Sequence, residues 1–213
     1  MKFASRQDAG RQLGKFLRKH GIPADLILGL PRGGVVVAAE IARELKLPLD
    51  VLVVRKIGHP FHREFAVGAL AEPDFVLIHE DALCGFPVPQ LALDDVIAEE
   101  KLRLEKYSRQ FHFSGRPSFK GKSILLVDDG LATGATMEAA VLSARNQKAR
   151  KIIVTAPVAS TGAVEKLKKL ADAVEILLVD ENFQAVGQYY SQFSQTTDDE
   201  VVSLLRDSVA RAA

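Results

Sequence analysis

Two adjacent aspartates, Asp128 and Asp129, stand between an apolar run and a turn of small residues. The run at 124–127 is Ile-Leu-Leu-Val, which predicts a strand buried on both faces of a parallel sheet. The turn contains two glycines and two threonines, and an apolar helical pattern begins at Met137. A turn from a strand into a helix directs backbone N–H groups and the positive end of the helix at an anion such as a phosphate.

The acid pair distinguishes this turn from other phosphate-binding turns. A P-loop needs the pattern G-x-x-x-x-G-K-[ST], and no lysine lies in residues 128–136. Gly130 and Gly134 also lack the spacing of a G-x-G-x-x-G dinucleotide turn. Because carboxylates repel a phosphate, they must serve another part of a ligand, and the vicinal diol of a ribose offers two O–H donors. The pattern therefore favours a ribose 5-phosphate over the alternative of two aspartates that only cap a helix.

The segment ILLVDDGLATGAT at 124–136 resembles the ribose-phosphate signature of the type I phosphoribosyltransferases, which use 5-phosphoribosyl 1-pyrophosphate (PRPP). The resemblance implies that Asp128 and Asp129 hold the ribose hydroxyls as catalytic and PRPP-binding residues. It assigns the 5-phosphate to the backbone and hydroxyl groups of Ala132, Thr133, Gly134, Ala135 and Thr136. In the 6-oxopurine enzymes of the family an aspartate stands at the position of Ala132, so this turn is more similar to the adenine and orotate enzymes.

A second glycine turn, Pro31-Arg32-Gly33-Gly34, follows the predicted strand at 26–30. Two glycines that open a helix make an anion-binding nest, and Arg32 offers a bidentate fork for phosphate oxygens. The alternative is an ordinary strand-to-helix turn with a surface arginine. The family places its pyrophosphate loop here, so the resemblance assigns Arg32, Gly33 and Gly34 to the leaving group. The family's loop often contains a non-proline cis peptide, which would fall between Pro31 and Arg32.

Residues 55–74 are predicted to form a long connection that carries several cations and two histidines. Long loops in compact domains are often functional lids, and the family has a mobile catalytic loop at this point. Lys56 and Arg63 are therefore candidates for stabilising charge on the pyrophosphate. His59 and His62 have H-x-x-H spacing, but no further ligand lies nearby, so solvated loop histidines are favoured over a metal site.

The segment 180–193 is rich in aromatic residues. By the resemblance, this is where the acceptor base binds, with Phe183 as the first candidate for stacking and Tyr189 as the second. The alternative, that these aromatic side chains pack the C-terminal segment onto the sheet, is equally compatible with the sequence.

Composition narrows the class of protein. The chain has 213 residues, of which 47% are hydrophobic and 26% charged, and 28 basic against 27 acidic residues give a net charge of +1. A balanced charge does not favour nucleic acid or acidic membranes as partners. The single cysteine, Cys84, cannot form an intrachain disulfide, and no apolar run is long enough for a membrane span or a signal peptide. We expect a cytoplasmic protein.

Strands that alternate with helices predict an α/β fold, a parallel twisted sheet with helices on both faces. The layout over about residues 25–190 is similar to that of the type I phosphoribosyltransferases and predicts one domain, 1–213. Residues 79–120 interrupt the alternation and are predicted to be an insertion beside the core. With the N-terminal helix or the C-terminal segment, this insertion could form the small hood that the family places over the nucleobase.

Two functions from different classes follow. The first is an enzyme that moves a phosphoribosyl group from PRPP to a nitrogenous base and releases pyrophosphate, with Mg²⁺ bound mainly through PRPP. The second is a PRPP- or nucleotide-sensing regulator on the same fold, without catalysis. Regulators of this kind usually add a DNA-binding domain or a basic face, and neither is visible in the sequence. We expect PRPP and a small nitrogenous acceptor as partners, leave the acceptor's identity and a homodimer open, and expect no nucleic acid or membrane.

Overall fold

The computed structural model describes residues 2–84, 88–113 and 115–212. The strands are β1 (Leu26–Gly29), β2 (Leu49–Val51), β3 (Val54–His59), β4 (His62–Ala71), β5 (Phe75–Ile78), β6 (Ser123–Val127), β7 (Lys151–Ser160) and β8 (Ala173–Asp180). The helices are α1 (Arg6–Lys19), α2 (Gly33–Leu45), α3 (Glu80–Cys84), α4 (Gln90–Phe111), α5 (Ala135–Asn146), α6 (Thr161–Lys168) and α7 (Asp198–Ala212), with a 3-10 turn at Val186–Tyr189. No helix among these residues combines the length and apolar character that a membrane span needs.

The central sheet has five parallel strands in the order β2-β1-β6-β7-β8. Successive side chains of a strand point to opposite faces of the sheet, and both faces are covered by apolar cores, so the strands are apolar on both faces. Ile27, Leu125 and Ile153 belong to the core that includes side chains of α1, α2 and α7. Their neighbours, such as Ile124, belong to the core that includes side chains of α5 and α6. The predicted parallel sheet with helices on both faces is therefore confirmed.

The segment 54–78 differs from the prediction. Residues 55–74 do not form a long irregular connection: β3 and β4 make an antiparallel hairpin whose closing pair is His59 and His62. The strand at 75–78, β5, pairs with β4 and not with the parallel sheet. The prediction was wrong because residues 61–65 at the hairpin tip are all exposed and include three consecutive polar residues, His62, Arg63 and Glu64, so the apolar alternation that marks a strand is missing there. The chain therefore leaves the parallel sheet at β3, earlier than the predicted start of the insertion at 79.

Helix α4 and the hairpin are fastened to the parallel sheet by a buried polar cluster. Nε2 of His112 lies 2.8 Å from Oε1 of Glu72, and its Nδ1 lies 3.2 Å from Oδ1 of Asp50 in β2. Ser108 donates to the second carboxylate oxygen of Glu72 at 2.8 Å, and the Val53 N–H donates to the first. Burial lowers the pKa of His112, but its bonds to Asp50 and Glu72 raise it more, to about 9. A charged histidine between two carboxylates therefore joins the end of α4 to the core.

The N-terminal segment meets residues 189–191 over the carboxyl end of β7. The Phe3 N–H donates to the carbonyl of Tyr189, and the Ser191 N–H donates to the carbonyl of Phe3. Phe3, Val158, Tyr189 and their neighbours form a small separate apolar cluster. Within the described residues, this cluster draws nothing from 79–120. The cover at this end of the sheet is therefore built by the N- and C-terminal segments.

Candidate ribose-phosphate site

The two glycine turns leave the same edge of the sheet side by side. Strand β1 pairs in parallel with β6, so that Gly29 lies opposite Val127. The Leu30 N–H donates to the Val127 carbonyl at 2.8 Å, which continues the pairing beyond the strands. Residues that follow each strand must therefore meet at the carboxyl edge, where parallel α/β sheets bind their ligands.

The Gly33-Gly34 turn packs directly against the acid pair. A Cβ atom on Gly33 would overlap Oδ2 of Asp129, and one on Gly34 would lie 2.7 Å from the Val127 carbonyl oxygen and 2.9 Å from the Asp128 Cα. Any larger residue would force the two turns apart. The peptide bond before Arg32 is cis, as the resemblance predicted. The structure thus brings the predicted pyrophosphate turn and the predicted ribose carboxylates into contact.

Asp128 is half-buried at the end of β6, and its Oδ1 accepts the N–H of Asp129 at 2.8 Å. Burial raises the pKa of Asp128 well above its usual range, and the negative charge of Asp129 raises it further. The bond from the Asp129 N–H and the positive charge of Arg6 act in the opposite direction. The acid pair is therefore a strongly interacting unit whose charge depends on its neighbours.

Asp129 is bound by two residues that the sequence analysis missed. Nε of Arg6 lies 2.6 Å from its Oδ2, and the Tyr190 hydroxyl donates to its backbone carbonyl at 2.5 Å. Burial raises the pKa of Tyr190 above its usual range, so the hydroxyl stays protonated as a donor. Arg6 stands 123 positions from Asp129 and lies at the start of an ordinary amphipathic helix. No pattern in the sequence could have linked them.

The predicted phosphate turn leads into α5 as expected. Gly134 precedes the helix in the left-handed conformation, with φ of 71°, and has no side chain to cap the first turn. The Thr133 hydroxyl accepts the Ala135 N–H at 3.4 Å. The N–H groups of a first turn have no intrahelical acceptor, so that of Thr136 can face an anion. Ser160 at the end of β7 donates to the Ala132 carbonyl at 2.6 Å and holds the turn in place. Thr133 is exposed and Thr136 half-buried.

Arg32 lies immediately before α2, next to the contact between the two turns. Its Nη1 lies 3.6 Å from Oδ1 of Asp198, the first residue of α7, and the side chain is partly exposed. The arginine assigned to the leaving group is thus paired with a carboxylate from the C-terminal helix.

Lys56 and Arg63 are not brought to the acid pair. Lys56 is exposed on β3, and Nη1 of Arg63 on β4 lies 3.0 Å from Oε2 of Glu99 in α4. Within the described residues, neither side chain makes an ion pair with Asp128 or Asp129. The expectation of solvated histidines is wrong for His59, which is 2% exposed and packs on neighbouring aromatic rings.

The two candidates for base stacking lie together over the end of β8. The rings of Phe183 and Tyr189 stack with 5.2 Å between centroids, and the Tyr189 hydroxyl donates to Asp180 at 2.7 Å. Tyr189 is buried: Phe183 covers one face of its ring, and Asp180 accepts the hydrogen bond from its hydroxyl. Phe183 is only half-buried. The packing alternative therefore describes Tyr189, while stacking of a base stays a prediction for Phe183.

The fold and the site together define a parallel α/β protein with an acid pair between two glycine turns at the carboxyl edge of its sheet, where proteins of this class bind their ligands. The sequence model described as Phosphoribosyl transferase domain matches residues 4–194. The chain therefore belongs to the phosphoribosyl transferase family, and the predicted resemblance is confirmed.

Two relatives from Mycobacterium tuberculosis, strains CDC 1551 / Oshkosh and ATCC 25618 / H37Rv, are each named "Putative phosphoribosyl transferase". They are 42% identical over 204 residues, which cover 95% of this chain and 46% of theirs. The chain thus spans about half the length of the curated relatives it matches.

Among solved structures, TT1426 from Thermus thermophilus is 42% identical, with a TM-score of 0.80 over 97% of this chain and 99% of that one. A hypothetical protein from Neisseria gonorrhoeae with bound ppGpp is 15% identical, with a TM-score of 0.51 over 97% of this chain and 98% of that one. At that identity, the second likeness concerns the fold alone.

Proposed function

We propose that the protein transfers a phosphoribosyl group from PRPP to a nitrogenous base and releases pyrophosphate. The observation that carries this proposal is the contact between the Gly33-Gly34 turn and the Asp128-Asp129 pair. It places a helix start on each side of two carboxylates, since α2 begins at Gly33 and α5 follows the acid pair. Two anion sites flanking a diol site match the three parts of PRPP, which are its pyrophosphate, ribose and 5-phosphate.

In the proposed reaction a nitrogen of the base forms a bond to C1 of the ribose as the bond from C1 to the pyrophosphate oxygen breaks. The electron pair of the broken bond leaves with pyrophosphate, and the base nitrogen loses its proton to restore neutrality. Asp128 and Asp129 hold the ribose hydroxyls and favour the positive charge that develops at C1. Arg32 and the Gly33-Gly34 turn bind the departing pyrophosphate.

Mg²⁺ fits this site as an ion shared with the ligand. Carboxylate oxygens are ligands that Mg²⁺ prefers, and Asp128 and Asp129 offer them beside the pyrophosphate turn. Among the described residues, no group of three or more His, Cys, Asp or Glu side chains is arranged to hold a metal ion. A site with only these two carboxylates suits an ion that is held chiefly by PRPP oxygens, with Asp128 and Asp129 as additional ligands. When bound, Mg²⁺ neutralises charge on the pyrophosphate oxygens.

Lys56 and Arg63 enter the proposal as cations that reach the pyrophosphate when the β3–β4 hairpin moves. Excluding water by such a movement protects a reactive ribosyl centre from hydrolysis. Phe183, half-buried beside Tyr189, is the proposed stacking surface for the acceptor base. Ala132 carries no proton-transfer group, so we propose an acceptor outside the 6-oxopurines.

The test measures PRPP binding by calorimetry and pyrophosphate release with a panel of bases. We expect PRPP to bind with Mg²⁺ and at least one base to trigger release. Thr136→Lys should abolish both, because its side chain fills the phosphate turn, whereas Ser203→Lys on the exposed face of α7 should behave like the wild type. Binding without release for every base would favour the regulatory alternative. Absence of PRPP binding would overturn the proposal.

A further inference from the structure

Each carboxylate of the acid pair has one oxygen committed to the protein. Oδ1 of Asp128 accepts the Asp129 N–H, and Oδ2 of Asp129 accepts Nε–H of Arg6. Within the described residues, and apart from the contact between the two carboxyl groups themselves, no N–H or O–H group donates to the remaining oxygens, Oδ2 of Asp128 and Oδ1 of Asp129. One carboxylate oxygen on each of the two adjacent residues is therefore left to accept a hydrogen bond from a ligand. A vicinal diol supplies two O–H groups at such a separation.

The Arg6 side chain is held by residues other than Asp129. Its Nη1 donates to the Ser194 carbonyl at 2.7 Å, and its guanidinium carbon lies 3.9 Å from the centroid of the Phe193 ring. The Phe193 ring stacks in turn on Tyr190, which donates to the Asp129 carbonyl. The Arg6 side chain is only 11% exposed. A planar guanidinium held by the Ser194 carbonyl and the Phe193 ring has one orientation, so it also sets the orientation of the carboxylate it binds.

Resting on the proposed function, we infer that Arg6 is a positioning residue for ribose recognition. It turns the Asp129 carboxylate so that Oδ1 faces the ligand. Phe193 and the Ser194 carbonyl hold Arg6 for this task.

The test compares Arg6→Met, which keeps the apolar stem, with Arg6→Lys, which keeps the charge. Arg11→Met, on the same helix and 55% exposed in its side chain, is the matched control. We expect Arg6→Met to weaken PRPP binding about tenfold or more at neutral pH. Arg6→Lys should lose less affinity than Arg6→Met, and Arg11→Met should bind PRPP like the wild type.

A second arm uses Asp129→Asn as the background. If Arg6 acts through the Asp129 carboxylate, Arg6→Met should add less than twofold to the loss already caused by Asp129→Asn. Equal losses in both backgrounds would overturn the inference and leave Arg6 a structural residue. Should Arg6→Met fail to fold, Arg6→Lys in both backgrounds decides the same question. Absence of PRPP binding by the wild type would instead count against the proposed function.

Discussion

The acid-pair turn and the β3–β4 hairpin both carry charged residues assigned to one reaction, yet the structure holds them in opposite ways. At the turn, Asp128 and Asp129 are half-buried and each has a fixed hydrogen-bond donor. On the hairpin, Lys56 is exposed, and Arg63 is paired with Glu99 on α4 through partly exposed side chains. Exposed ion pairs contribute only about 0–1 kcal/mol, so the Arg63 contact can break at little cost.

This difference separates two tasks. The acid pair lies at the edge of a buried parallel sheet and is arranged before any ligand arrives, which suits binding. The hairpin belongs to a separate sheet and holds its cations away from the acid pair, so these must move to act. We therefore expect changes at the turn to lower PRPP affinity, and changes on the hairpin to lower turnover.

The largest effect is expected at the turn. Asp128→Asn with Asp129→Asn should cost at least about a hundredfold in PRPP affinity, because each lost charge-assisted bond is worth about 1.5–3 kcal/mol. Calorimetry measures the loss. Asp94→Asn with Asp95→Asn, another adjacent pair on the exposed side of α4, is the matched control and should bind like the wild type.

The diol itself can be tested with a ribonucleoside 5′-monophosphate and its 2′,3′-dideoxy analogue. The wild type should prefer the ribonucleotide, whereas the double variant should bind both almost equally. If both proteins discriminate to the same extent, the carboxylates do not recognise the diol.

The next largest effect concerns the stability of the anchor between α4 and the core. His112 has a folded pKa of about 9 and an ordinary unfolded value of about 6.5, so it binds its proton more tightly in the folded protein. Its stabilisation is fully present below pH 6.5 and is lost as the pH rises through 9. We expect the free energy of unfolding to fall by about 2 kcal/mol across this window.

Urea unfolding at several pH values measures this change. His112→Gln should be less stable at pH 6 and should lose most of the decline between pH 6.5 and 9. His20→Gln, at an exposed position after α1, should keep the wild-type decline. An unchanged decline in His112→Gln would mean that other groups cause it.

A smaller effect is expected on the hairpin. Lys56→Ala with Arg63→Ala should lower turnover about tenfold while KM for PRPP changes less than threefold, because these cations act only after the hairpin moves. Steady-state kinetics with PRPP separate the two parameters. Arg109→Ala, at an exposed position on α4, is the control. A loss confined to KM would place the hairpin cations in ground-state binding and remove the contrast with the turn.

The smallest effect concerns Arg32. Asp198→Asn should free this arginine and strengthen inhibition by pyrophosphate about two- to threefold, since the pair is partly exposed. Arg32→Ala should have the opposite effect, about fivefold, and should barely change binding of a nucleoside monophosphate. If monophosphate binding falls as much as pyrophosphate binding, Arg32 does not serve the leaving group.

Prediction from sequence succeeded where the signal is local. The apolar run before Asp128, the small-residue turn and the helical pattern after it lie within one short segment, and each has its own physical cause. The cis peptide at Arg32 also followed from a local resemblance. The hairpin was not predicted because its exposed tip contains consecutive polar residues, including Arg63, which are typical of a loop sequence. Whether these residues form a strand depends on the neighbouring strands with which they pair, and the local sequence pattern does not show those neighbours.

The sequence by itself determined the parallel sheet, the position of the acid pair at its carboxyl edge and the family of the protein. It did so because buried strands need apolar side chains on both faces and because a helix start after a glycine turn attracts anions. Only the tertiary structure decided which groups surround the acid pair. Arg6 and Tyr190 reach Asp129 from 123 and 61 positions away in the sequence, and ion pairs hold Arg32 and Arg63. Contacts between residues far apart in sequence depend on how whole elements pack, which local composition does not encode.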